Sequence, residues 1–221
     1  MGRLFGTDGA RGVANTELTC ELAMQIGRAA AEVLITADGK RPKVLIGKDT
    51  RASGDMLEPA LSAGLCSVGA DVYLLGVVPT PAVAFLAKAY AADAAVMISA
   101  SHNPCEYNGI KIFNGEGYKL SDALEEQIEA IVLDHAVELP TPVGGAVGRV
   151  TVCEKAADDY IRHLLSTVSV ELNGLHIAVD CANGSASVTA KKLFSALGVR
   201  CEMLSCTPDG VNINDNCGST H

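Results

Sequence analysis

Long apolar runs are missing from this 221-residue chain. None reaches the roughly 18–20 residues that a membrane-spanning helix needs. The opening MGRLFGTDGARGV lacks the apolar stretch of a secretory signal, and Gly6 stands where a myristoylation site requires Ser or Thr. Basic residues are scarce: 17 Lys and Arg face 26 Asp and Glu, for a formal net charge of −9. Such a balance argues against nucleic acid or a membrane as main partner, because both call for a basic face. A small anionic ligand stays open, since it needs only a local cluster of cations and backbone N–H groups. Cysteine pairs are absent as well. Eight cysteines are scattered from Cys20 to Cys217 without a C-x-x-C spacing, which disfavours zinc. Cys66 and Cys201 lie in apolar patterns and read as small buried hydrophobes. These absences predict a cytoplasmic protein with reduced thiols.

What is present is enough apolar residue, 48% of the chain, for a packed core. Thr19 is placed to cap a helix whose apolar positions Leu22, Ile26, Ala29 and Val33 recur at helical spacing. KVLIG, DVYLLG and AAVMIS read as buried strands. Between them, GDMLEPALSAGLCSVG follows a candidate cap at Ser53 and stops at Gly69, and TPAVAFLAKAY opens on Thr80-Pro81. Alternation of helix and strand predicts a layered α/β domain with a mixed, mainly parallel sheet flanked by helices. GIKIF and YKL around NGEG read as a hairpin, followed by a helix capped by Ser121. Residues 136–151 carry two prolines and three glycines with little periodicity, the pattern of a connector. The predicted domains are therefore 1–151 and a second, incomplete α/β unit at 152–221, which contains LHIAVD, ASVTAKKLFSAL and VRCEML.

Four loops join glycine to charge or hydroxyl: GTDGARG, GKDTRASG, SASHNP running on to NGIK, and DCANGSAS. Ligands of α/β domains collect at the C-terminal ends of strands, and helix N-termini there favour anions. Taken singly, each loop also reads as an ordinary turn. No P-loop, G-x-G-x-x-G or G-x-S-x-G motif occurs. Adjacent Ser101 and His102 are poorly placed for a hydrolase pair, because successive side chains point apart. A serine at a strand end can instead carry a phosphoryl group, given donors for three oxygens and cations for their charge. Arg11, Lys111, His102 and Asn103 can supply them; Arg3, Lys48 and Arg51 add positive charge in or beside the same loops.

Taken in order, FGTDGARG, GKDTRASG, ISASHNPCEYNGIKIFNGEGYKL and PDGVNINDNCGSTH resemble the N-terminal part of the bacterial phosphoglucosamine mutase family, within the α-D-phosphohexomutase superfamily. The resemblance runs from Arg3 to His221. It implies that Ser101 is a phosphoserine that exchanges its phosphoryl group with a hexosamine monophosphate through a bisphosphate. Arg11 and Lys111 match the family's proton-transfer and charge-stabilising residues, and His102 one that orients the reacting groups. Asn103 and Arg51 match as loop or substrate support. Mg²⁺ is implied at a phosphate oxygen on Ser101, and a homodimer through the first domain. The family's metal loop, Asp-Gly-Asp-x-Asp-Arg, is absent here, and no D-x-D-x-D occurs. An N-terminal portion, inactive alone, is therefore expected. Phosphomannomutase or phosphoglucomutase is the alternative within the superfamily, and a non-catalytic phosphosugar-binding domain the alternative outside catalysis.

Overall fold

Two continuous apolar segments, KVLIGK and AAVMI, form the centre of the sheet because each must be buried on both faces. The structure is a computed structural model that describes residues 2–34 and 40–221. In chain order its elements are β1 (Ala10–Val13), α1 (Cys20–Leu34), β2 (Lys43–Lys48), α2 (Gly54–Ser67), β3 (Asp71–Val77), α3 (Thr80–Ala89), β4 (Ala94–Ile98), β5 (Tyr107–Asn114), α4 (Asp122–Asp134), β6 (Val150–Val152), α5 (Ala156–Thr167), β7 (His176–Asp180), α6 (Ala190–Ala196) and β8 (Arg200–Leu204). The main sheet has the order β1-β5-β4-β2-β3-β6. Its β4, β2, β3 and β6 run parallel, whereas β5 is antiparallel to both β4 and β1.

Alternation along the strands divides the core into two layers. Val44, Ile46, Val96, Ile98, Ile110 and Ile112 pack with apolar residues of α1, α2 and α4. Leu45, Ala95, Met97 and Phe113 point the other way, toward α3 and α5. The expected layered α/β architecture with a mainly parallel sheet is what the chain forms.

Local signals were met unevenly. Thr19 does cap α1, its Oγ1 accepting the Leu22 N–H at 3.2 Å. Gly69 ends α2 with a φ of +95° and donates to the Cys66 carbonyl. Ser53 does not cap α2: its backbone is already helical, and its Oγ accepts instead from Asn108 Nδ2 at 2.8 Å. Ser121 also makes no side-chain cap bond to α4. The hairpin after β5 shrinks to one bridge, Phe113 to Lys119, across a turn held by the Asn114 side chain. Cys66 and Cys201 are half-buried rather than enclosed.

Two strands escape the sequence pattern. Residues 10–13 pair with β5 as an edge strand, and the end of the connector forms β6 beside β3. The predicted boundary at residue 151 lies inside β6. Helix α5 then places Ala156 and Tyr160 in the core beneath the main sheet. Beyond it, β7 and β8 form a separate parallel pair. The expected helix at 186–197 divides into a 3-10 turn, Ser185–Val188, and the short α6.

Candidate active site

Strands β2 and β4 end side by side, with Lys48 opposite Ile98, so the loops that follow them meet. Asp49 follows β2, and its Oδ1 accepts the Arg51 N–H at 3.0 Å, an Asx turn two residues long. The other carboxylate oxygen pairs with the Arg51 guanidinium. Arg51 is 1% exposed, an unusual place for a cation, and its two terminal nitrogens are partnered while its buried Nε is not. Its Nη2 donates to the Ser101 carbonyl at 3.1 Å and to the Asn103 carbonyl at 2.6 Å. The buried guanidinium thus fixes the backbone of the Ser-His-Asn segment from below.

Above it, Ser101 is exposed and has a φ of +55°, in the left-handed region that favours glycine. Its N–H donates to Ser99 Oγ at 3.0 Å, and its Oγ lies 3.5 Å from His102 Nδ1. Such a conformation costs about 1–3 kcal/mol and persists where its surroundings over-determine it. The hydroxyl is left facing solvent with its peptide held firmly beneath.

A row of residues crosses β1, β5 and β4 at the same end of the sheet. Arg11 is opposite Gly109, and the Ser99 N–H donates to the Gly109 carbonyl. A side chain at position 109 would collide with Arg11, because its Cβ would fall 2.9 Å from Arg11 Cγ. Lys111 is two residues along β5 from Gly109, so it projects from the same face as Arg11. Asp8 bridges the two cations, 3.7 Å from Arg11 and 3.4 Å from Lys111.

The expected residues therefore fall into two groups at one sheet end. Ser101, His102, Asn103 and Arg51 are joined by direct contacts, with Asn103 contributing its carbonyl. Arg11 and Lys111 are joined through Asp8. Two other loop cations are engaged elsewhere. Lys48 pairs with Asp55 and Glu58, both at 2.8 Å, and Arg3 pairs with Asp134. Burial alone would lower the Lys48 pKa, but these carboxylates outweigh it and hold the ammonium charged.

Residues of the later segment complete the neighbourhood. Thr50 Oγ1 donates to the Asn183 carbonyl at 2.6 Å, and the Ala52 N–H donates to the Gly210 carbonyl at 2.9 Å. Asn214 Nδ2 reaches the Ser101 and Asn103 carbonyls at 2.9 and 3.0 Å. Asp180 accepts the N–H groups of Gly218 and Ala182, which lower its pKa and keep it ionised. A cavity of about 630 Å³ opens here between His102, Cys105, Asn214, Asp215 and His221. Burial, reinforced by Glu106, pushes the Cys105 thiol up, so it stays protonated and a poor nucleophile. Asp8 and Asn214 stand inside segments already singled out, GTDG and VNIND, but only chain pairing shows what they touch.

Among the described residues no cluster of three or more His, Cys, Asp or Glu is arranged to hold a metal ion. Ser101 would offer Mg²⁺ one oxygen, where that ion takes about six in an octahedron. The residues present do not by themselves fit the expected metal. Among the described residues no helix is long and apolar enough to cross a membrane.

A family model described as phosphoglucomutase/phosphomannomutase, alpha/beta/alpha domain I, matches residues 2–137. The sequence is 58% identical to a phosphoglucosamine mutase of Clostridium novyi over 221 residues, which is all of this chain and 49% of that relative. It is 57% identical to the phosphoglucosamine mutase of Acetivibrio thermocellus over the same span. Among solved structures, a phosphoglucomutase/phosphomannomutase family protein from Burkholderia thailandensis aligns with a TM-score of 0.77 at 30% identity, covering 94% of this chain and 44% of that one. A phosphomannomutase described as putative from Thermus thermophilus aligns with a TM-score of 0.78 at 26% identity, covering 94% and 46%. The chain spans about half the length of the curated relatives it matches.

Proposed function

Because the chain belongs to the phosphoglucomutase/phosphomannomutase family, we propose that it carries the phosphoryl-bearing serine and the first basic residues of a phosphoglucosamine mutase. The reaction is the interconversion of glucosamine 6-phosphate and glucosamine 1-phosphate. The observation that carries the reading is Ser101 itself, exposed in a left-handed conformation with its carbonyl held by buried Arg51. Identity of 58% to a phosphoglucosamine mutase favours that sugar over mannose or glucose.

On this reading Ser101 Oγ holds a phosphoryl group at rest. A hydroxyl of the sugar phosphate attacks the phosphorus in line; the new P–O bond forms as the bond to Oγ breaks. The attacking hydroxyl gives up its proton as the departing Oγ takes one up; Lys111, in its neutral form, is the candidate to carry it. The Arg11 guanidinium, which cannot act as a base, meets the phosphate oxygens once substrate displaces it from Asp8. The bisphosphorylated sugar then turns round and returns its other phosphoryl group to Oγ. His102, 3.5 Å from Oγ, orients that oxygen. Mg²⁺ would neutralise phosphate charge when bound, and the carboxylates to complete its site would come from outside residues 1–221. The same reading carries with it a cytoplasmic location, a role in supplying amino sugar for peptidoglycan, and a homodimer formed through residues 1–151.

The test uses the full-length polypeptide that carries these residues. Ser101→Ala is expected to lower kcat for glucosamine 6-phosphate on the order of 10³-fold or more, as loss of a nucleophile does. Peptide mass spectrometry of the unaltered protein should find phosphate on Ser101. Residues 1–221 alone should show no turnover. Wild-type activity in Ser101→Ala would remove the assignment.

A further inference from the structure

The carbonyls of Ser101 and Asn103 each receive two donors. Arg51 Nη2 approaches both from the buried side, and Asn214 Nδ2 approaches both at 2.9 and 3.0 Å. A carbonyl oxygen has two lone pairs, so both acceptors are filled. The orientation of the Asn214 amide follows from the same contacts, since its own oxygen would repel the two carbonyls it faces.

Asn214 is held in place with equal care. It has a φ of +59°, and its N–H donates to the Ala182 carbonyl at 2.9 Å. Ala182 in turn donates to Asp180, which also accepts from Gly218. Asn183, next to Ala182, accepts from Thr50 in the loop that contains Arg51. The amide therefore has a hydrogen-bonded base in the later segment and reaches across 113 residues of sequence to the Ser101 carbonyl.

Fixing the Ser101 carbonyl fixes its peptide plane, hence ψ, and hence the direction of Cα–Cβ. The hydroxyl can then point out of the sheet end without any bond to the group that directs it. Resting on the phosphoserine reading above, we infer that Asn214 is a positioning residue for Ser101, the outer jaw of a clamp whose inner jaw is Arg51. Arg51 supplies charge and burial; Asn214 supplies direction, and it links the aim of Ser101 to the seating of residues 180–218 against the main sheet. Misplacing a reacting atom by about 1 Å can cost 10²-fold in rate, which sets the scale of the effect.

Two variants of the full-length polypeptide separate aim from fold. Asn214→Gly keeps the positive φ and deletes the amide. Asn214→Asp keeps shape and conformation but turns an acceptor toward two carbonyls. Both are expected to lower kcat for glucosamine 6-phosphate by roughly 10- to 100-fold, with KM within about threefold of the unaltered protein and melting temperature within about 2 °C. A kcat within about twofold of wild type in either variant overturns the inference, as does a loss of activity confined to KM. Loss of cooperative melting in both also overturns it, because Asn214 would then hold the fold and not the serine. Ser101→Ala is assayed beside them. If it is inactive while Asn214→Gly turns over normally, only the clamp falls; if it is active, the phosphoserine reading itself falls.

Discussion

At the scale of single residues, charge is placed by its partners more than by its loop. Five cations in or beside glycine loops suggested a common phosphate site, yet the structure sends Arg3 to Asp134 and Lys48 to Asp55 and Glu58. Arg51 goes inward, Arg11 and Lys111 stay at the sheet end with Asp8. The Asp49–Arg51 pair shows most plainly what burial does. Removing one member of a buried ion pair leaves the other charged and unmatched, at a cost of about 3–5 kcal/mol. Asp49→Ala should therefore lower unfolding free energy by about that amount in urea denaturation. A loss well under 1 kcal/mol would mean that the Ser101 and Asn103 carbonyls suffice for the guanidinium. That this loop turns was legible in the sequence, and its Asx bond joins residues only two apart. The guanidinium's reach to Ser101 and Asn103, about 50 residues on, was not legible.

Elements form from local pattern but are spaced by contact. Helices α1 and α2 touch through glycines: a Cβ at Gly64 would fall 2.1 Å from the Met24 carbonyl oxygen, and one at Gly27 would fall 2.6 Å from that of Leu61. Gly64→Ala gains about 0.5–1 kcal/mol of helix propensity and loses more by pushing the helices apart, since overpacking costs about 1–3 kcal/mol. A fall in melting temperature is expected. An unchanged or higher value would show that α1 can move aside at no cost. Helices with a clear apolar face and an end signal, such as α1 with Thr19 and α2 with Gly69, were legible in the sequence. Edge strands β1 and β6 were not. Each is short, β1 alternating between buried and half-buried residues and β6 exposed throughout, so it lacks the apolar run of β2 or β4 and becomes a strand only by pairing with a strand already in the sheet.

Across the whole molecule, stability is unequal. Strands β2 and β4 are enclosed between two layers of helices, while β7 and β8 alternate between exposed and half-buried residues and, among the described residues, pair as strands only with each other. A two-stranded sheet is marginal in isolation. Hydrogen exchange followed by mass spectrometry should show amides 176–180 and 200–204 exchanging well before those of β2 and β4. Equal protection in both sheets would mean that residues 152–221 open only with the rest. Glu129 ties the two ends of the first unit together: its carboxylate accepts the N–H groups of Arg3, Leu4 and Phe5. Desolvation alone would raise its pKa, but the three donors prevail and lower it. The sequence by itself determined the central strands, most helices, and the serine loop with its neighbours. Those features depend on periodicity, glycine and capping within a few residues. Only the tertiary structure decided that Arg51 would be buried under Ser101, that Asp8 would bridge Arg11 and Lys111, and that Asn214 would close over the serine's carbonyl. Apart from the local Asp8–Arg11 pair, those contacts are set by strand register and loop packing, which bring together groups 50 to 113 residues apart whose chemistry, read locally, names no particular partner.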